Sequence, residues 1–231
     1  GHVKIVDRIK DIYKNVKGQT IAPRRVEQKF AAVPGVQRTF LVGDGRAHNV
    51  LLVVLKEDDP LSSQLRERGE LDAYVGRLIT EANRDLAPYE RVVNFAILER
   101  DFSEERGELT AKGSYRRKVI EAAFAEQIER LYRSRHIELT LPDGLKVRLP
   151  RWFYRDLGVL ETDIHVESGG LWDGRRELFL TLARGEAVGR VRVGDLEYQL
   201  DGGERPLDLG LFARQPWLWL GNPQLAAFSP C

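Results

Sequence analysis

Residues 36–58 read VQRTFLVGDGRAHNVLLVVLKED. Two runs rich in β-branched and large apolar residues flank Gly43-Asp44-Gly45, the pattern of two strands joined by a turn. Gly43-Asp44-Gly45-Arg46 lacks the glycine spacing and the following helix of a phosphate-binding loop, so it reads as a hairpin turn. Around this hairpin the chain alternates strands with helices. Upstream, HVKIV (2–6) is extended, NVKGQT (15–20) is a turn, and Pro23 opens a helix with Val26, Phe30 and Val33 on one face. Downstream, apolar residues at 71, 74, 75, 78, 79, 82 and 86 trace a helical stripe, and RVVNFAILER (91–100) reads as a strand. Tyr115 to Tyr132 predicts one long amphipathic helix burying Val119, Ile120, Ala123, Phe124, Ile128, Leu131 and Tyr132.

Composition changes near residue 136. All nine lysines lie at or before Lys146, whereas Trp152, Trp172, Trp217 and Trp219 all follow it, and twelve of the 21 glycines lie from Gly144 onward. The later part alternates in strand fashion: HIELTLPDGLKVRL (136–149) predicts a hairpin about Pro142-Asp143-Gly144, and ELFLTL, VGRVRV, LEYQL and WLWL follow. The expected architecture is an α/β (α+β) domain at 1–134, a hairpin plus small sheet with flanking helices, followed by a β-rich module at 136–231. With no nucleophile–base or metal constellation after residue 136, that module is expected to add stability rather than chemistry.

Thirty-six basic and 35 acidic residues leave a net charge of +1, which argues against nucleic acid as the main partner. No apolar run approaches the ~20 residues that cross a bilayer, and no signal peptide opens the chain. The one cysteine, Cys231, excludes an internal disulfide and fits a reducing, cytoplasmic setting. His2, His48, His136 and His165 are scattered without metal-ligand spacing, so no zinc site is expected. The absence of methionine and an opening inside a strand pattern suggest that a segment precedes residue 1.

Two clusters stand out. DRIKDIYKNVKGQTIAP (7–23) packs Arg8, Lys10, Lys14 and Lys17 around a glycine turn, which suits an anion, although basic residues alternating along an edge strand more often guard it against aggregation. GELTAKGSYRRKVI (107–120) sets Lys112 among small residues ahead of a helix whose first turn carries Arg116, Arg117 and Lys118. The helix dipole disfavours cations there, and an anionic partner would offset that. Asp101, Glu104 and Glu105 read as a solvated charge run.

The stretch 2–30, with LVGDGRAHNVLLVVL (41–55), residues 81–103, residues 107–120 and IERLY (128–132), resembles the C-terminal subdomain of adenylate-forming enzymes, specifically the acyl-CoA synthetases of the long-chain type. The resemblance stops near 134. It implies a ligase that joins a fatty acid to coenzyme A through an acyl-adenylate made from ATP with magnesium. An N-terminal domain would hold the acyl chain and most of the nucleotide, and the small domain would swing between two poses. By matching position, Lys10 would be the hinge and Arg8 would reach the ribose and phosphates. Lys17, Gly18 and Gln19 would line the pantetheine passage, where glycine lets a thin thiol arm run close to backbone. Many relatives place the catalytic lysine three residues before an arginine, a slot held here by Ser114. Another branch reads Lys-Gly-Thr-x-x-Arg, which KGSYRR (112–117) matches with Lys112 as the lysine. The resemblance implies that this chain alone is inactive, because it supplies one wall of the site. It leaves open a peripheral membrane contact and the oligomeric state. The rival reading is a non-catalytic domain that binds a protein partner or an acyl ligand through the Trp-bearing module.

Overall fold

The structure, a computed structural model, describes residues 11–133, 136–200 and 205–230. The chain divides into two compact units, 1–133 and 134–231. The HVKIV run, Arg8 and Lys10 lie outside the described residues.

The first unit opens with a short antiparallel hairpin, β1 (Tyr13–Lys14) and β2 (Thr20–Ile21), then α1 (Pro23–Glu27) extended by a 3-10 turn to Phe30. Its sheet is β3 (Val36–Val42), β4 (Asn49–Leu55) and, after α2 (Pro60–Glu67) and α3 (Leu71–Arg84), β5 (Val92–Leu98). The 36–58 stretch folds as the antiparallel pair, Phe40 opposite Leu52, while β5 runs parallel to β4 with Phe95 opposite Leu51. All seven β4 residues are buried, as a central strand covered on both faces requires. One face carries Phe40, Val42, Leu52 and Val54 against α4 (Arg117–Ala123) and α5 (Ala125–Tyr132). On the other side α1 packs on β3 and α3 on β5.

Three elements differ from the sequence-based expectation. The long helix is two helices, broken at Phe124 (φ −112°, ψ 22°), and Tyr115 precedes both. The break falls where the Phe124 ring turns in, edge-on to Phe102 at 5.6 Å and beneath the Arg100 guanidinium at 4.5 Å. Val119 and Ala123 are exposed rather than buried. On α3 the buried face has shifted to Val75, Gly76, Ile79, Thr80 and Asn83, because the Asn83 side chain bonds both the N–H (2.9 Å) and the C=O (2.8 Å) of Val92 at the start of β5. Finally, α2 was not anticipated, although Asp59 caps it and Pro60 opens it.

The second unit holds two sheets. In one, β6 (His136–Thr140) pairs antiparallel with β7 (Lys146–Pro150), which precedes α6 (Arg151–Leu157). The other is an antiparallel meander of β8 (Ile164–Glu167), β9 (Gly170–Asp173), β10 (Leu178–Arg184), β11 (Arg190–Val193) and β12 (Leu196–Gln199). β13 (Leu207–Asp208) joins the first sheet parallel to β7, and α7 (Leu209–Ala213) and α8 (Pro223–Phe228) follow. The module is thus less purely β than expected. WLWL is no strand: Pro216–Trp219 form a 3-10 turn, closed by Trp219 Nε1 donating to Phe212 O (2.7 Å) and Tyr198 Oη to Leu218 O (2.6 Å). Trp217 is 64% exposed.

Buried asparagines tie each unit together. Asn49 accepts from Tyr13 Oη (2.8 Å) and donates to Tyr89 O (3.0 Å), so the β1–β2 hairpin is pinned to the sheet. A Cβ on Gly43 would sit 2.1 Å from Asn49 Oδ1 and 2.6 Å from Tyr13 Oη. Asn222 caps α8 through Leu225 N (3.1 Å) and donates to Val193 O and Tyr198 Oη, both at 2.7 Å. Gly43→Ala should therefore lower stability by about 2 kcal/mol through overpacking, and Asn222→Ala by about 2 kcal/mol through unpaired buried groups and a lost cap. Urea unfolding followed by circular dichroism checks both, and unchanged midpoints would refute these two ties.

Candidate functional site

Lys112 stands on a short hairpin-like turn. Leu109 and Tyr115 form an antiparallel bridge, Thr110 N donates to Ser114 O (2.9 Å), and Gly113 N donates to Thr110 O (2.7 Å). Ser114 N also bonds Thr110 Oγ1 at 3.1 Å. Gly113 sits at φ +71°, a left-handed conformation that a side chain would strain. Lys112 is exposed at the tip of this turn, and Ser114 is half-buried.

Both stems of the turn end in a guanidinium–carboxylate pair. Before it, Glu108 is 1% exposed and takes Arg100 through both oxygens, at 2.8 and 2.5 Å, plus Ser103 N at 2.9 Å. The Arg100 hydrogen bond holds the Glu108 carboxyl below its usual range, against the opposing effect of burial. After it, Arg117 Nη1 donates to buried Glu27 (2.9 Å) and Nη2 to Leu41 O, with the guanidinium 4.2 Å over the Phe40 ring. Glu27 Oε1 also accepts Leu41 N at 2.9 Å. Tyr115 Oη donates to Thr39 O (3.1 Å), and burial pushes this phenol up to about 12, so it stays protonated. Of the cations at the start of α4, Arg117 is answered by Glu27 of the same unit.

Beside the turn opens a cleft of about 280 Å³, walled by Asp11, Arg24, Gln28, Arg38, Ser114 and Arg117 among others. Arg38 is paired with Asp101 at 3.0 Å. Guanidinium forks on a concave wall suit a phosphate or carboxylate oxygen. The sequence reading singled out Ser114 and missed Arg24, Gln28, Arg38 and Glu27. The cleft joins α1, β3 and the 107–117 segment, which no local pattern links. One signal existed: Glu27 lies in the apolar stripe between Val26 and Phe30.

Lys17, Gly18 and Gln19 form the β1–β2 turn. Asn15 Oδ1 accepts Lys17 N and Gln19 N, both at 3.0 Å, and Asn15 Nδ2 donates to Gln19 Oε1 at 2.9 Å. Gly18 has φ +76° and open space where a Cβ would point. This hairpin docks on the β3–β4 turn through Val16 N to Arg46 O (3.1 Å) and Gly45 N to Lys14 O (2.9 Å). The Lys112 turn docks instead beside Thr39, and none of Lys17, Gly18 and Gln19 lines the cleft. The two expected sites therefore attach at different points, one on the turn that follows β3 and the other beside Thr39 within it. Asp101 is half-buried on Arg38, whereas Glu104 and Glu105 are exposed. Among the described residues no group of three or more His, Cys, Asp or Glu could hold a metal ion, and no helix is long and apolar enough to cross a membrane.

Comparison with known proteins places this geometry. The chain is 29% identical over 145 residues to the long-chain-fatty-acid–CoA ligase FadD15 of Mycobacterium tuberculosis, covering 57% of this chain and 24% of that protein. Human long-chain-fatty-acid–CoA ligase 1 is 27% identical over 146 residues, 57% of this chain and 21% of the relative. The A-PCP didomain of carboxylic acid reductase from Segniliparus rugosus, solved with AMP, is 25% identical with a TM-score of 0.46, over 55% of this chain and 18% of its own. The chain spans about a quarter of the length of the first of these curated relatives. Residues 10–136, more than half of the chain, match the AMP-binding enzyme C-terminal domain, and the chain belongs to that family.

Proposed function

We propose that the protein containing this chain is an AMP-forming acid–thiol ligase acting on fatty acids, with the first unit as its mobile C-terminal domain. The family match over residues 10–136 carries this reading. It is supported by an exposed lysine on a rigid, glycine-closed turn beside a guanidinium-walled cleft. In the first step a carboxylate oxygen of the fatty acid attacks the α-phosphorus of ATP, and pyrophosphate leaves. Negative charge gathers on the approaching oxygens, and the Lys112 ammonium balances it in a site closed to water. In the second step the thiol of coenzyme A attacks the acyl carbonyl, AMP leaves, and the thiol proton is lost to solvent. For that step the Lys17–Gln19 turn would present its exposed backbone, and the open space at Gly18 leaves room for a thin pantetheine arm.

Arg8 and Lys10, outside the described residues, keep the nucleotide and hinge roles that the resemblance implies. Magnesium would travel with ATP, held mainly by an N-terminal acyl- and ATP-binding domain, and no step on this chain is routed through it. A cytoplasmic setting belongs to this reading and is supported by the single cysteine of the sequence.

The alternative, a non-catalytic module binding a protein or acyl ligand, is favoured by one observation. Leu211, Trp217 and Leu220 in the second unit are 56%, 64% and 76% exposed. AMP release by the natural protein, given ATP, coenzyme A and a panel of fatty acids, separates the two readings. Within the ligase reading, Lys112→Ala should slow adenylate formation by about a hundredfold or more, while transfer from a supplied acyl-adenylate to coenzyme A is spared. The isolated 231-residue chain should turn over no fatty acid. Normal adenylation by Lys112→Ala would make the lysine a bystander.

A further inference from the structure

A lysine works from a moving domain only if the base of its long stem is fixed. Among the described residues, the hydrogen bonds that close the tip of the Lys112 turn are internal to it, so its place relative to the cleft depends on its stems. By hydrogen bonds the stem before it is tied only within residues 100–116, since Glu108 bonds Ser103 N and Arg100 and its carbonyl takes Arg116 N at 2.8 Å, while Leu109 adds undirected apolar packing in the core. The stem after it is different. Tyr115 and Arg117 reach out of the segment to β3 and α1, through Thr39 O, Leu41 O and the Glu27 carboxylate. Arg117 is five residues beyond Lys112, and its fork spends one nitrogen on each of two separate elements while its face lies on Phe40.

We infer that Arg117, Glu27 and Tyr115 are positioning residues for Lys112, acting in the adenylate-forming step only. The inference rests on the ligase reading above. The fork geometry is the requirement, not the charge: a lysine at 117 would keep the cation but could not bridge Glu27 and Leu41 O together. A shift of about 1 Å in a reacting group costs up to about a hundredfold in rate. Because Arg117, Glu27 and Tyr115 all line the cleft as well, direct contact with a ligand is the competing role, and the kinetics separate the two.

The test uses the natural protein containing this chain, with the two half-reactions assayed apart. Arg117→Lys and Glu27→Gln should lower kcat for adenylate formation by about tenfold or more, with KM for ATP and fatty acid unchanged and transfer to coenzyme A intact. In a Lys112→Ala background neither should cause a further loss, since there is no longer an ammonium to misplace. Tyr115→Phe keeps the ring packing on Phe40 and Phe102 and removes only the hydroxyl. It should show the same signature, and it decides the matter if the charged variants do not fold. A raised KM, equal losses in both half-reactions, additive losses with Lys112→Ala, or wild-type kcat in Tyr115→Phe would each overturn the inference. Full adenylation by Lys112→Ala would instead defeat the ligase reading of that residue and is told apart by the single variant.

Discussion

A guanidinium held against a buried carboxylate governs the first unit. Arg117 is 13% and Glu27 8% exposed at the side chain, and each has its charge answered mainly by the other. Removing one partner of such a pair strands the other, at a cost of about 3–5 kcal/mol. Neither partner can therefore be removed alone without leaving a buried charge unanswered. The reach of the pair sets the geometry around it. Glu27 is the last residue of α1, Leu41 lies in β3, and Arg117 opens α4, so one contact fixes two helices to the same strand. Phe40 supplies the ring beneath the guanidinium, and the cation gains the aromatic face without giving up hydrogen bonds.

Around that pair, much of the fold was legible and the reasons for the misses are specific. The β3–β4 hairpin was readable because β-branched runs on either side of a glycine turn have few alternatives. The parallel pairing of β5 was not, since nothing in RVVNFAILER states its direction. A fully apolar β4 hints at burial on both faces, and only the crossover through α2 and α3 explains it. WLWL alternates like a strand, but Pro216 cannot donate and Trp219 reaches back to the Phe212 carbonyl in α7, so the segment folds onto the preceding helix. The break at Phe124 carries no proline or glycine. It follows from tertiary packing of one ring, which a periodicity count cannot see.

The candidate site divides the same way. Gly113 and the small residues around Lys112 announce a turn, and the structure supplies it. Arg24 and Arg38 look in sequence like any exposed arginine, and only the approach of α1, β3 and the 107–117 segment makes them walls of a cleft. In the second unit the order is reversed. Its composition promised strands, yet its organisation rests on polar anchors: Asp173 is fully buried, takes the main-chain N–H groups of Arg175 and Arg176, and holds the Arg176 side chain that in turn bonds Phe228 O at 2.7 Å. Such a residue reads as a surface charge until its partners are known.

The parallel pairing of β4 with β5 has a consequence for synthesis. The hairpin partners lie close in sequence and close a short loop, whereas β5 can join only after the whole crossover has been made. The cleft draws on Arg24 and Arg38 from before that crossover and on Ser114 and Arg117 from after it. A nascent chain that has just exposed its hairpin to solvent thus has only one side of this cleft. The cleft cannot precede assembly of the sheet: it comes into being only when the 107–117 segment leaves the ribosome and docks beside β3.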